Sequence, residues 1–296
     1  MKTLRVIIFL VLVIGVLPVA VPAQQKMKLG ENAALRYWSA FAQMQDSAIT
    51  DDQARELKLI LDGTAPYSDL KYKELVEKNR PALETMARGT SMPTCDWGLD
   101  YQLGSATPVE YVRKALTLGR LNVLYVLHRA INGDKDGAAR ALAAGMRFSH
   151  DVANGGTLFA SVVAKQMLAN HLRLVADLTH FEALSPAQRS MLQQAVAQLG
   201  TEGLDWRANV KRELDIPRNQ DPRFPHGLGP EATAALARIA PAYVGVLDKP
   251  ATLTELQQMI AGAPPSLREI IPNPKSVVDA KQELTDKIQQ TRSLLQ

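Results

Sequence analysis

The sequence predicts an all-α protein, built of antiparallel helical hairpins stacked as a compact bundle or short solenoid. Three observations carry that expectation. Apolar residues recur at three- and four-residue spacing in one segment after another, the period that lines up one face of a helix. Start and stop residues punctuate these segments: hydroxyl or Asn caps, proline at first helical positions, and Gly or Asn-Gly at the ends. No stretch alternates apolar and polar residues as a half-buried strand would.

At the N-terminus, Lys2 and Arg5 precede an apolar run from Val6 to Leu17, followed by Pro18 and the small-residue site Val21, Pro22, Ala23. This is the pattern of a secretory signal peptide, so residues 1–23 are expected to be removed and the protein to be periplasmic or extracellular. A membrane-spanning helix needs about 20 apolar residues, and Gly15 and Pro18 break this run. Loss of Lys2 and Arg5, with no acidic residue, takes the formal net charge from +4 to +2. So small a balance, with both signs interspersed, gives no footprint for nucleic acid and no integral span is expected after cleavage. The single cysteine, Cys95, rules out an internal disulfide, and its place beside Trp97 in a Pro-rich turn predicts a buried, inert thiol.

Residues 24–31 read as a flexible tether and residues 32–216 as the helical-hairpin core. Asn32 caps a first helix whose face is Ala34, Tyr37, Trp38, Phe41 and Met44, an aromatic stripe read as packing surface. Thr50 and Gln53 form a capping pair for a second helix stopped at Gly63. Ser68 starts a third, kinked or divided at Pro81. The segment from Thr90 to Ala106, with Cys95, Asp96 and Trp97, has no period and reads as an irregular loop covering one end of the central helical block.

That block, from Thr107 to Phe181, organises the chain. Thr107, Pro108 and Glu110 combine a hydroxyl cap, a proline and a returning Glu, and predict a helix from there to Asn132 and Gly133. A second helix starts near Asp136 and carries Ala138, Ala141, Leu142, Gly145, Met146 and Phe148 until Asn154 to Gly156. The third runs from Thr157 to Phe181 and is apolar over much of its circumference. Connections this short force antiparallel neighbours, giving two hairpins that share their middle helix.

Beyond Phe181, Ser185, Pro186 and Gln188 repeat the capping pattern, and Gly200 closes that helix. Another spans Leu204 to Leu214, around Trp206. Residues 217–296 read as a looser helical C-terminal region, packed on or extending from the core. It opens with the breaker-rich run 217–230, then a helix from Pro230 interrupted at Pro241, a short one capped by Thr252 and Glu255, and a last one from Ser276 to Gln296.

Chemistry-bearing patterns are few. Asn132, Asp134, Asp136 and Gly137 match the opening of a calcium-binding EF-hand loop, but its twelfth position, which should be a bidentate Glu, is Ala143. The segment therefore reads as an interhelix turn with Asp136 as N-cap. Antiparallel packing places His128 and His180 at one end of the block, near Asp177, and His150 at the other; a zinc site needs three or four converging ligands. No nucleophile elbow, P-loop or dinucleotide-binding glycine pattern occurs. No catalytic residue, metal or cofactor is therefore expected.

The segment NGDKDGAARALAAGM, residues 132–146, resembles the inter-helix turn and second helix of tetratricopeptide-like hairpins, although a period of about 34 residues does not recur. The aromatic first helix NAALRYWSAF and the Cys95-Asp96-Trp97 turn resemble those of exported all-helical bacterial proteins of unknown function, a likeness that implies fold and export only. Together these features lead us to expect a non-catalytic binding or scaffolding module of the cell envelope, whose partner is another envelope protein. Two alternatives stay open: an enzyme whose site is assembled from dispersed residues near 217–230, with Asp221, Arg223 and His226, and a carrier of an apolar ligand between helices.

Overall fold

The computed structural model describes residues 29–45, 50–101, 103, 107, 109–181, 184–215 and 228–296. The expected signal segment, the tether as far as residue 28, and residues 216–227 of the breaker-rich run, with Asp221, Arg223 and His226, lie outside the described residues. Among those described, the chain forms twelve α-helices and no strand, as the periodicity predicts: α1 (Ala33–Gln43), α2 (Asp51–Leu61), α3 (Asp69–Gly89), α4 (Glu110–Ile131), α5 (Lys135–Ala153), α6 (Leu158–Phe181), α7 (Pro186–Gln198), α8 (Trp206–Asp215), α9 (Pro230–Val246), α10 (Leu253–Ala261), α11 (Pro265–Arg268) and α12 (Pro274–Leu295). None of them is long and apolar enough to cross a membrane.

The predicted central block is the frame. α4, α5 and α6 are consecutive neighbours, and α5 is the most enclosed, packed against α3, α4, α6 and α7. Small side chains make this possible, because Ala138, Ala139, Ala141, Ala144 and Gly145 let four helices close around one axis. α6 is less enclosed than its composition suggests: Phe159 and Val162 remain 54% and 52% exposed. One face of α6 is left open, bounded by α4 and α12.

Capping chemistry follows the sequence in three places. Asn32 accepts from the Ala34 amide, and Thr50 with Gln53 and Ser185 with Gln188 form reciprocal boxes. Elsewhere the boundaries move. α4 begins at Glu110 with Val109 as its cap, because the Thr107 hydroxyl donates instead to the Asp100 carbonyl at 2.9 Å. α5 is capped by Asp134, which accepts from the Gly137 amide at 2.8 Å, and not by Asp136. Thr252 makes no side-chain cap, and α12 starts at Pro274 behind an Asn273 cap.

Both internal prolines are carried through. α3 continues past Pro81 and α9 past Pro241 without division. A proline inside a helix costs about 3 kcal/mol, and burial on both sides of it offsets that. Val76, Ala82, Leu83 and Met86 are buried in α3, and Ala235, Leu236, Ile239, Tyr243 and Val246 in α9. α12 closes the molecule on α6 and α7, with Leu284, Ile288 and Leu295 buried in the same continuous core as α1 to α6.

Candidate binding cleft

The groups best suited to proton chemistry lie inside the core. Asp151 of α5 is 0% exposed and receives the Tyr37 hydroxyl at 2.6 Å from α1. Arg147, one turn earlier, brings Nε to 3.0 Å from the other carboxylate oxygen, near enough for attraction though off the line of a hydrogen bond. The Trp97 indole donates to the Asp151 carbonyl at 2.9 Å, with Cys95 Sγ 3.7 Å from the same oxygen. Trp97 also stacks on Tyr111 and on Phe41, so the irregular loop is pinned into the aromatic face of α1. Burial pushes the Asp151 carboxyl and the Tyr37 and Cys95 groups upward. The cysteine is thus the buried thiol expected, and the Cys-Asp-Trp turn acts as a staple.

His171 of α6 is also 0% exposed. Its Nδ1 donates to the Met167 carbonyl at 2.8 Å, and its Nε2 lies 3.1 Å from Asn122 Nδ2 of α4, which donates to it. The same Asn122 amide reaches the Ala141 carbonyl at 3.0 Å, and Ser149 donates to the Gly145 carbonyl at 2.7 Å. Burial lowers the imidazole from its usual value to about 4. Ser149, His171 and Asn122 resemble a nucleophile, base and orienter in composition only. The His171 Nδ1 proton is committed to a backbone carbonyl, and Ser149 has no exposed surface.

Nearer the surface, Asp69 and Glu77 of α3 face the two ring nitrogens of His128 at 2.6 and 3.4 Å. The His128 hydrogen bond holds the Asp69 carboxyl below its usual range. His180 is exposed and Asp177 pairs with Arg173, so these two and His128 are each satisfied separately or face solvent. His150 meets the Gly203 carbonyl at 2.9 Å. In the turn likened to an EF-hand, Asp134 is taken by the cap and by Arg129, and Asp136 accepts from Gln188 at 2.6 Å. No group of three metal-ligating residues converges among the described residues.

The open face of α6 carries a cleft in two parts. A space of about 370 Å³ lies between α6 and α12, lined by Lys165, Gln166, Asn170, Arg173, Glu283 and Lys287 among others. A second, of about 410 Å³, lies on the α4 side, lined by Ala54, Leu57, Lys58, Arg120, Gln166 and Asn170. The two share Leu61, Asp62, Gln166 and Asn170, so they adjoin at the last turn of α2.

α2 is held over the cleft mainly by that end, with Leu57 half-buried against the core and Glu56 accepting from Lys71 of α3 at 2.8 Å one turn earlier. Of its residues only Ile60 and Leu61 are buried. Arg173 Nη2 donates to the Ile60 carbonyl at 3.1 Å, capping the helix from α6. The chain then turns at Gly63, whose φ of +74° suits glycine and whose missing side chain leaves room for the Arg173 guanidinium, 2.7 Å from where a Cβ would stand. Farther back, Ala54 and Leu57 line the space beneath α2, Leu57 while also packing on the core.

Charge in the cleft is partly paired. Glu283 serves both Lys165 and Lys287, and those bonds, Lys165 first, hold its carboxyl below the usual range. Lys58 pairs with Asp62, and Gln166 donates to Asn170 at 3.1 Å. The sequence held one signal for this face that periodicity alone passes over. In an apolar helix, Gln166, Asn170 and Arg173 interrupt at spacings of four and three, marking a polar strip on one side. The contributions of α2 and α12 leave no such trace. No known protein family, curated protein or solved structure matches the chain.

Proposed function

We propose that this protein is an exported, non-catalytic binding module of the cell envelope, and that its partner seats in the cleft beneath α2. Export rests on the signal pattern of residues 1–23. The observation that carries the binding reading is the overhang: a helix fully buried only at Ile60 and Leu61 of its last turn, with its first turn exposed, above a two-part space floored by side-chain amides. An isolated helix of this length is marginal in water, and one with two buried residues gains little from packing. Such an element is suited to settling on an added surface.

The groups able to do acid–base work favour binding over catalysis. Asp151 and His171 are closed off in the core and committed to structural bonds, while the cleft presents paired charges and amides. The likeness of residues 132–146 to tetratricopeptide-like hairpins fits the same reading. A carrier of an apolar ligand fits less well, since charged and amide side chains stand in both halves of the cleft.

The test is capture from envelope extract with the mature chain from Gln24 onward, run beside a Gln166→Arg, Asn170→Arg variant. Both side chains lie at the surface of the cleft, and far-UV circular dichroism checks that the fold persists. A stoichiometric protein partner that the variant loses supports the reading. A partner retained equally by both, or a retained small molecule and no partner, defeats it.

A further inference from the structure

Resting on that reading, we propose that the occupant of the cleft is an acidic polypeptide segment in extended conformation, laid along α6 beside the last turn of α2.

Shape argues for a chain. The two spaces adjoin at the side chains they share and are each open to solvent, so a compact molecule would occupy one half and leave the other empty.

The floor matches an extended backbone. Gln166 and Asn170 are one turn apart on the same face of α6, a rise of about 6 Å. An extended chain repeats its outward-facing groups every two residues, about 6.6 Å. The bond between these side chains uses Gln166 Nε2 and Asn170 Oδ1, which leaves Gln166 Oε1 as acceptor and Asn170 Nδ2 as donor for a backbone laid along them. Gln290 and Thr291 continue the polar lining at the α12 end.

Charge selects the sign of the occupant. The lining carries Lys58, Arg120, Lys165, Arg173 and Lys287 against Asp62 and Glu283. Asp177, outside the lining, engages Arg173, while Arg120 has no ion pair among the described residues and Lys165 and Lys287 share one carboxylate. Positive charge is therefore in excess at both mouths. An acidic segment answers it, whereas a basic one would meet uncompensated like charge.

The experiment is panning of a random twelve-residue peptide display library on the full mature chain, followed by fluorescence anisotropy of the enriched peptides. Binding is compared with that of an Arg120→Glu, Lys287→Gln variant, whose fold is checked by circular dichroism. The expected result is enrichment of Asp- and Glu-rich peptides that bind the variant about tenfold more weakly and are not displaced by glutarate at equal carboxylate concentration. Enriched peptides that carry no acidic surplus but are lost in the variant would overturn the acidic assignment while leaving the cleft reading intact. Displacement by glutarate would overturn the chain assignment. Peptides indifferent to the variant, or no enrichment, would defeat both proposals.

Discussion

Replacing Gly145 by Ala should destabilise the protein, although the same change in a helix interior is ordinarily favourable. A Cβ at Gly145 would stand 2.3 Å from Asn122 Nδ2 and 2.3 Å from His171 Nε2, in a place where both side chains are buried. The methyl group must push apart the bond that links α4 to α6 through α5. Overpacking costs about 1–3 kcal/mol, and a buried polar group left unsatisfied costs about 1–3 kcal/mol more. Alanine returns about 1 kcal/mol of helix propensity. The net loss is then about 3 kcal/mol, which for a chain of this size lowers Tm by roughly 6–12 °C.

Gly245 in α9 is the internal control, because a Cβ there meets nothing within 4 Å and its φ is not positive. Gly245→Ala should be neutral or stabilise by up to about 1 kcal/mol. Thermal and urea unfolding followed by far-UV circular dichroism reads both. A Gly145→Ala protein as stable as the parent, or raised in step with Gly245→Ala, would refute the interlocked core described for α4, α5 and α6.

Three further outcomes rest on buried groups. Tyr37→Phe leaves a buried Asp151 oxygen without its partner and should cost about 1–3 kcal/mol in urea unfolding; a loss under about 0.5 kcal/mol, below the range for an unsatisfied buried polar group, would mean the contact is not formed. His171 is held neutral to about pH 4 while the unfolded residue takes up its proton near 6.5, so the unfolded state binds more protons in that window. Stability should therefore fall by up to about 3 kcal/mol as pH drops from 6.5 to 4. NMR titration of the His171 ring should show no protonation above about pH 5, and a ring titrating near 6.5 contradicts the burial. Cys95 should not react with a thiol-specific disulfide reagent in the native protein and should react fully in urea; rapid native labelling would place the loop outside the core.

How much of the fold is legible in the sequence depends on whether the signal is local. The capping boxes at Thr50 and Ser185 need only residues three apart, and both form as expected. Pro81 does not divide its helix and Pro241 does not interrupt its own, because the force that carries a helix through proline is burial against other helices, which no local pattern records. Asp136 has the look of a cap but yields that role to Asp134, two residues earlier, which also reaches Arg129 on the preceding helix. The Asp151 and His171 clusters join residues far apart in sequence, Tyr37 to Asp151 and Asn122 to His171. The cleft is the extreme case: its walls come from α2, α4, α6 and α12, and only the polar strip on α6 leaves a trace.

The most direct test of the central claim is site-specific photo-crosslinking in the intact, exported protein. A photoreactive residue placed at Leu57, beneath α2, is compared with one at Arg238, on the exposed face of α9. Our account predicts a discrete crosslinked product of defined mass from position 57 and none from position 238. Equal crosslinking from both positions, or none from position 57 in cells where the protein is exported and folded, would contradict a partner seated in this cleft.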